Sequence, residues 1–243
     1  MIDIHCHLLP GVDDGPRDAR GTVALASLFA EDGVTAVIAT PHRLNPLFPG
    51  STRERAELAA EVARDALEAA GVPLRFEVGA EVVLTSRVVE EVMADPSLLM
   101  GCGRYVLLEI PAYGLSFQPH LADVTFRLRT EGVTPILAHV ERYPEFRDEP
   151  ARLEDLRARG ALVQVTGPAL LGRYGSDDQR AAKLFLKKGL VDVLASDAHD
   201  AVRRPPLWRE SMREAERLVG KEKAAALGRG HPARVIEGAA WPT

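Results

Sequence analysis

Short runs of apolar, β-branched residues alternate along the chain with longer stretches in which apolar residues recur at helical spacing. This alternation is typical of βα units, which build a parallel sheet. Glycines such as Gly33, Gly132 and Gly189 fall between a helical stretch and the next strand, where a left-handed residue commonly ends a helix. The pattern predicts seven strands, at Ile2–His5, Ala36–Thr40, Arg75–Val78, Tyr105–Glu109, Thr134–Ala138, Leu162–Val165 and Val191–Ala195.

A helix is predicted after each of these strands. The seven helices are expected at Ala19–Glu31, Thr52–Ala70, Ser86–Met93, Gln118–Thr130, Ala151–Arg159, Asp177–Lys188 and Pro206–Val219. Two shorter helices are expected within Lys221–Glu237. Seven units without a glycine-rich dinucleotide turn favour an incomplete α/β barrel over a doubly wound sheet. Because no linker or low-complexity tract interrupts the pattern, we predict a single domain over residues 1–243.

The composition narrows the possible function classes. Of the 243 residues, 46% are hydrophobic and 27% are charged, as in an ordinary globular protein. The net charge of −5 argues against nucleic-acid binding, which usually requires a basic face. No apolar run approaches the roughly 20 residues that cross a bilayer, and the first residues contain no signal-type stretch, so we expect a cytoplasmic protein without membrane insertion. Cys6 and Cys102 lack the arginine spacing of a thiol phosphatase, and we expect Cys6 in the core.

Imidazole and carboxylate side chains are concentrated where the predicted strands end. They comprise five of the seven histidines and three acidic residues, namely His5, His7, His42, His139, His199, Glu81, Glu109 and Asp197. In a parallel barrel these strand ends form one face, so residues far apart in sequence meet there. Mixed nitrogen and oxygen ligands suit manganese, iron or zinc, and a carboxylate can bridge two ions. The sequence therefore predicts a site for more than one metal ion on this face.

The segments that carry these residues resemble a known family. The stretches DIHCHLLPGVDDG, TPH, GAE, HVERY, LLG and SDAH, in this order and at these separations, resemble the polymerase-and-histidinol-phosphatase (PHP) superfamily. More narrowly, they are similar to its bacterial manganese-dependent protein-tyrosine phosphatases of capsule and exopolysaccharide operons. The resemblance extends over nearly the whole chain and implies a distorted (β/α)7 barrel of PHP type.

The resemblance also implies a set of metal ligands. Up to three manganese ions are expected, with iron or zinc as alternatives. The three ligand sets would be His5, His7, Glu81 and Asp197; Glu81, Glu109 and His139; and Asp14, His42 and His199. Glu81 would bridge the first two ions. Asp13 and Asp14 are neighbours in one loop and could exchange this role, and the resemblance favours Asp14.

Two arginines that follow ligand motifs are the predicted catalytic residues. Arg142 comes three residues after His139, and Arg204 comes five residues after His199, and both match family positions that bind phosphate. A guanidinium group makes the planar, bidentate contacts that phosphoryl oxygens favour. Either arginine could instead be a solvated surface residue. The neighbouring Arg203 could also be mistaken for Arg204.

Apolar segments near the predicted ligands leave two interpretations open. The loop at residues 43–51 could grip an aromatic ring or pack on its own helix, and the same holds for Tyr113 and Phe117. Arg43 stands where the family often has a second histidine, which leaves the ligand set intact. We expect His120 on a helix surface.

The resemblance implies hydrolysis of phosphotyrosine on a protein, with a bacterial tyrosine kinase of polysaccharide synthesis as the partner. A metal-bound hydroxide would attack phosphorus in line while Arg142 and Arg204 hold the oxygens. Because the ordinary tyrosine pKa is about 10, a phenolate leaves more readily than an alkoxide and needs less general-acid help. The alternatives are a small-molecule phosphatase, such as one for histidinol phosphate, and a non-catalytic metal-stabilised binding module. The complete ligand set argues against the binding module.

Overall fold

The structure, a computed structural model, describes residues 1–111 and 118–241, and that part of the chain contains nine strands. They are β1 (Ile2–Cys6), β2 (Ala36–Ala39), β3 (His42–Arg43), β4 (Arg75–Val78), β5 (Glu81–Val83), β6 (Tyr105–Glu109), β7 (Thr134–Leu137), β8 (Leu162–Thr166) and β9 (Val193–Ala195). All the pairings between these strands are parallel, in the orders β1-β2-β4 and β3-β5-β6-β7-β8-β9.

The two sheets form one curled surface. β2 pairs with β4. β3 follows β2 and β5 follows β4 after short breaks in the chain, and β3 pairs with β5 in the same way. β9 returns to β1, because the amide of Asp197 donates to the carbonyl of His5 and the amide of His7 donates to the carbonyl of Ala198, both at 2.8 Å. The sheet is therefore a distorted (β/α)7 barrel, which confirms the predicted fold class. The seven predicted strands become nine because two of them break and resume.

Helices surround the barrel and confirm the seven predicted helical segments to within a few residues at each end. They are α1 (Ala19–Glu31), α2 (Arg53–Ala69), α3 (Val88–Ala94), α4 (Gln118–Thr130), α5 (Pro144–Asp148), α6 (Ala151–Ala158), α7 (Gly167–Leu170), α8 (Ser176–Lys187), α9 (Trp208–Val219), α10 (Lys221–Ala225) and α11 (His231–Ile236). A π-helical turn at Ala226–Gly230 joins α10 to α11. The short helices α5 and α7 were not predicted. Each has a proline in its first turn, and they follow β7 and β8 in the chain.

Alternating side chains of the strands separate an outer from an inner core. In β6, Val106 and Leu108 pack with the helices, whereas Tyr105 and Leu107 belong to the cluster inside the barrel. This is the period of two that a strand imposes. Val235 of α11 joins the inner cluster, and Ile236 and Trp241 pack against it. The Tyr105 hydroxyl donates to the carbonyl of Ala239, so the C-terminal segment fills the barrel at the amino ends of the strands.

Within the ranges that the structure describes, no helix is both long and apolar enough to cross a membrane.

Candidate metal centre

The carboxyl ends of the strands bring the first predicted ligand set together. His5 Nε2 lies 3.3 Å from Glu81 Oε1 and 3.3 Å from Asp197 Oδ1. His7 Nε2 lies 3.4 Å from Glu81 Oε2 and 3.5 Å from Asp197 Oδ1. Both histidines of the first strand motif thus face the same two carboxylates, as their spacing predicts. All four side chains are buried.

The second ligand set differs in one member from the set that the resemblance implies. His139 Nε2 lies 2.8 Å from Glu81 Oε1. Glu109 Oε2, however, lies 3.5 Å from His42 Nδ1, and it accepts a hydrogen bond from Asn45 Nδ2 at 3.2 Å. The ligand atoms of His42, Glu81 and Glu109 lie within 4.8 Å of one another. In this structure His42, rather than His139, completes the group around Glu109.

The third predicted set is present and gains one member. Asp14 Oδ1 lies 3.2 Å from His199 Nε2 and 3.6 Å from His42 Nε2. His7 joins these three residues in a group whose ligand atoms lie within 4.8 Å of one another. His42 therefore faces one group with Nδ1 and another with Nε2, and its imidazole lies between them.

The structure distinguishes the neighbouring Asp13 and Asp14, which the sequence left open. The Asp13 side chain is 1% exposed, and its Oδ2 lies 2.6 Å from His7 Nδ1 and accepts from the amide of His42 at 2.9 Å. Asp14 is 41% exposed and faces the histidine nitrogens. Gly15 allows this tight turn, since a Cβ there would lie 2.6 Å from the carbonyl oxygen of His7. Asp13 thus orients a ligand from behind, whereas Asp14 lies in the cluster.

Further residues that the sequence analysis missed fix the far sides of the other imidazoles. Gln164 Oε1 lies 3.1 Å from His5 Nδ1 and accepts from the amide of His139 at 2.9 Å. The Tyr143 hydroxyl lies 3.2 Å from His139 Nδ1. Such outer partners set the tautomer and direction of metal-binding histidines. A signal for Gln164 exists in the sequence, because it is a polar residue in the middle of an otherwise apolar buried strand.

The chemistry of these side chains fits metal ions. Four buried imidazole nitrogens, on His5, His7, His42 and His199, have no hydrogen-bond partner within the described residues. Buried polar atoms are normally paired, and buried carboxylates normally have a compensating charge. Cations bound between the imidazoles and carboxylates would satisfy both requirements.

The charges in the cluster keep its carboxylates ionised. Burial would raise the pKa of Asp197, but Arg142 and His5 outweigh this effect and hold the pKa well below its usual range. Burial opposes ionisation of Glu81 in the same way, and His5 and His42 lower its pKa well below its ordinary value. An ionised carboxylate is the form that binds a cation. The two acids are therefore in the binding-competent state.

Two of the strand-end residues have strained backbones. His139 has φ 35° and Asp197 has φ 53°, in the left-handed region that non-glycine residues rarely adopt. Such conformations cost on the order of 1–3 kcal/mol and persist where the surroundings enforce them. Buried Asp3 supplies part of that enforcement, because its carboxylate accepts from the amide of Ser196 at 3.1 Å and also from the Ser196 hydroxyl. Strain is thus concentrated at the candidate ligands.

The two predicted phosphate-binding arginines lie at the edge of the cluster. Arg142 Nη2 and Arg204 Nη2 both contact Asp197 Oδ2, the latter at 2.8 Å. Their side chains are 28% and 30% exposed, so both are open to a ligand. Arg203 is 82% exposed and pairs with Asp200 at 3.7 Å. The structure therefore places Arg142 and Arg204 beside the candidate metal ligands and leaves Arg203 outside.

The loop at residues 43–51 lies against the cluster through Phe48. The Phe48 ring stacks on His42 at 4.7 Å between centroids with an interplanar angle of 2°, whereas Leu47 is exposed beside it. Arg43 is buried and donates to Asp95 Oδ2 at 3.0 Å, which ties the loop to the turn after α3. Tyr113 and Phe117 lie outside the described residues.

Two other expectations concern residues away from the cluster. Cys6 is fully buried and its thiol contacts the carbonyl of Ile38, which confirms a core role. His120 lies on α4, half-buried, and its Nε2 is 3.1 Å from the carbonyl of Thr85, so it contacts a neighbouring loop rather than standing free on a helix surface.

Comparison with known proteins agrees with this geometry. The chain is 31% identical to the tyrosine-protein phosphatase YwqE of Bacillus subtilis over 226 residues, which cover 91% of this chain and 86% of YwqE. It is 29% identical to the tyrosine-protein phosphatase CpsB of Streptococcus pneumoniae over 241 residues, covering 97% and 98% of the two chains. It also superposes on a chain from the crystal structures of YwqE and CpsB, which are described as unique metal-dependent tyrosine phosphatases. The TM-score is 0.87 and the sequence identity is 28%, with 99% of this chain and 96% of the other covered. Residues 1–237 match the family of capsular polysaccharide synthesis proteins CpsB/CapC, and the chain belongs to that family.

Proposed function

We propose that this protein is a metal-dependent phosphatase that hydrolyses phosphotyrosine on proteins. The observation that carries the proposal is the convergence of buried imidazoles, ionised carboxylates and two arginines on Asp197 at one end of the barrel. A phosphate monoester dianion needs several fixed cationic groups around it, and this face supplies them. The similarity to YwqE and CpsB, which are named tyrosine-protein phosphatases, supports the same reaction.

Manganese is the metal we propose, in up to three positions, with iron or zinc as alternatives. The residues that would hold the ions are His5, His7, Asp14, His42, Glu81, Glu109, His139, Asp197 and His199. When bound, the metals supply Lewis acidity toward phosphoryl oxygens and lower the pKa of water. Asp13 and Gln164 keep His7 and His5 directed at that position by holding the opposite ring nitrogens.

Arg142 and Arg204 bind the phosphoryl oxygens in this proposal. They come from different loops, after β7 and β9, and meet on the same carboxylate oxygen. Their guanidinium groups present planar donors to a phosphate that binds beside Asp197. Because charge builds on the phosphoryl oxygens as the bond to the leaving group breaks, donors already in place lower the barrier.

The leaving group is a phenolate, which places a light demand on general-acid catalysis. Phe48, which stacks on His42, and exposed Leu47 offer apolar surface at the cluster, and we propose that the substrate's aromatic ring lies against it. We propose a phosphotyrosine protein as substrate and a bacterial tyrosine kinase of polysaccharide synthesis as that protein. The family's link to capsular polysaccharide synthesis supports this choice. A single catalytic domain over residues 1–243 and a cytoplasmic location stay predictions.

The test uses purified protein stripped with a chelator and reloaded separately with manganese, iron, zinc or magnesium. We expect release of phosphate from a phosphotyrosine peptide only after reloading, with manganese restoring more activity than magnesium. A phosphoserine peptide and histidinol phosphate serve as competing substrates. Faster hydrolysis of histidinol phosphate than of the phosphotyrosine peptide would identify a small-molecule phosphatase. Absence of turnover on all three with metal bound would favour a binding module.

A further inference from the structure

Tyr174 lies against Arg142, one of the two arginines of the site, and has no role in the proposed function. It belongs to the loop between α7 and α8, and its ring faces the Arg142 guanidinium with 5.1 Å between Cζ and the ring centroid. Burial and the negative charge of Asp197 raise the pKa of the Tyr174 hydroxyl, and the positive charges of Arg204 and Arg142 oppose that rise. The ring thus covers the Arg142 guanidinium at the edge of the cluster.

The contact with the ring compensates for the repulsion between the two guanidinium groups. They converge on a single oxygen, Asp197 Oδ2, and like charges at this separation repel. Asp197 is also a candidate metal ligand through Oδ1, so it compensates the arginines with only part of its charge. The face of an aromatic ring attracts a guanidinium without adding net charge and also restricts its rotamers.

The backbones that carry Arg142 and Tyr174 are fastened independently of this contact. Glu141 Oε1 accepts from the amide of Thr166, the last residue of β8 and directly before α7, at 3.0 Å. Arg147 donates to the carbonyl oxygens of Glu141 and Arg142 at 2.8 and 2.7 Å and pairs with Asp178 of α8 at 2.7 Å. Because these bonds hold the two loops, the ring of Tyr174 acts on the direction of the Arg142 side chain, together with Asp197.

We propose that Tyr174 is a positioning residue that holds Arg142 ready for the phosphoryl group before substrate binds. This inference rests on the proposed function, in which the two arginines bind phosphate. Its consequence is that removing the ring weakens phosphate binding without changing the metal content.

The test compares Tyr174→Leu with Tyr174→Phe and uses inorganic phosphate as the probe, because phosphate has no ring that Tyr174 could stack on. Phosphate binding is measured by titration calorimetry and by competitive inhibition. We expect Tyr174→Leu to weaken phosphate binding and to reduce kcat/KM by a similar factor, roughly 3- to 30-fold. Tyr174→Phe keeps the ring face and should lie within about threefold of the wild type. Metal content and melting temperature should match those of the loop control Arg173→Ala.

The inference has a second, independent readout. In a background of Arg142→Ala, Tyr174→Leu should cause little further loss of phosphate binding, because the group that it positions is absent. The proposal is overturned if Tyr174→Leu leaves phosphate binding unchanged while raising KM for a phosphotyrosine peptide, which would mean that the ring contacts substrate directly. Equal losses in the presence and absence of Arg142 would also overturn it. If instead Arg142→Ala itself leaves phosphate binding unchanged, the failure lies in the proposed function.

Discussion

At the carboxyl ends of the strands, buried His5, His7 and His139 face the carboxylates of Glu81 and Asp197 at 2.8 to 3.5 Å, whereas at the amino ends Val235, Ile236 and Trp241 fill the barrel with apolar surface. A buried carboxylate at the amino end of β9 is well paired. Asp192 accepts from Arg157 Nε and Nη2 at 2.9 and 2.8 Å and from the amide of Val163 at 2.9 Å.

The carboxyl ends differ. Imidazole nitrogens are buried there without a hydrogen bond among the residues described, and the candidate ligands His139 and Asp197 adopt left-handed backbone conformations. Unpaired imidazoles and strained backbones thus coincide at the candidate ligands. Departures of this kind are expected at functional sites, where stability elsewhere in the fold compensates for them. The comparison predicts that substitutions at the two ends have separable effects on activity and stability.

The largest effect is expected for Glu81→Ala. The Glu81 carboxylate is within 3.4 Å of His5, His7, His42 and His139, so its removal takes away the oxygen ligands shared across the cluster. Metal content by elemental analysis and turnover should fall together. Glu77→Ala, an exposed carboxylate in the strand segment that precedes Glu81, is the matched control and should retain both. A Glu81→Ala protein that binds its full metal complement would refute the proposed ligand set.

The next largest effect is expected for Arg142→Ala and Arg204→Ala. Removing one preorganised donor to a developing charge typically lowers kcat by about 10²- to 10³-fold. Metal content should not change, which separates these variants from Glu81→Ala. Arg→Lys should restore part of the activity, because an ammonium keeps the charge but lacks the bidentate geometry. The control is Arg203→Ala, because Arg203 is exposed. Loss of activity in Arg203→Ala with full activity in Arg204→Ala would mean that the wrong arginine has been assigned.

A smaller effect, and one on stability alone, is expected at the apolar end. Val235 is fully buried in the inner cluster, so Val235→Ala should reduce the free energy of unfolding by about 2 kcal/mol. Urea unfolding of the metal-loaded protein measures this loss. Metal content and kcat should stay at wild-type values. Reduced metal content in the folded variant would show that the two ends of the barrel are coupled rather than separate.

The smallest effect is expected in the ring of helices between the two ends. Hydrogen bonds from Arg217 and Lys183 lower the pKa of Glu214 to about 2. Because the folded-state pKa is depressed, the stabilisation is fully present above the ordinary value of 4.5 and is lost as the pH falls toward 2. Glu214→Gln should therefore be less stable than the wild type by under about 1 kcal/mol at pH 7, with the difference shrinking below pH 4.5. Urea unfolding at several pH values tests this, and a difference that grows in acid would contradict the assignment.

The sequence predicted the regular parts of the fold and missed the breaks. Periodicity located the strand that begins at Ala36, but β3 contains only two residues, and no pattern of alternation can be read from so short a segment. The break between β2 and β3 affects the site. His42 was expected in a loop beyond a strand, but it lies in β3 and faces two ligand groups.

The members of the candidate site were easier to predict than their arrangement. Strand-end position and residue type select eight of the histidines and acids that the structure brings together, whereas Asp14 was expected only from the resemblance. Asp13 and Asp14 are chemically identical neighbours, and only the tertiary contacts of Asp13 with His7 and His42 distinguish the buried one from the exposed one. Tyr174 could not be predicted as a site residue, because it is an isolated tyrosine in a loop with glycines nearby. Only its contact with Arg142 in the folded protein indicates a role.

The closure of β9 onto β1 has a consequence for how the protein is made. His5 and His7 are synthesised well before Asp197 and His199, and they meet them only after β9 has paired with β1. Contacts between residues so distant in sequence are slow to form. An ion that needs ligands from both β1 and the segment after β9 binds the closed barrel and not its precursors, and it stabilises that barrel in proportion to the logarithm of its free concentration. The supply of metal in the cell would then set how much of the newly made protein stays folded, as well as how fast it works.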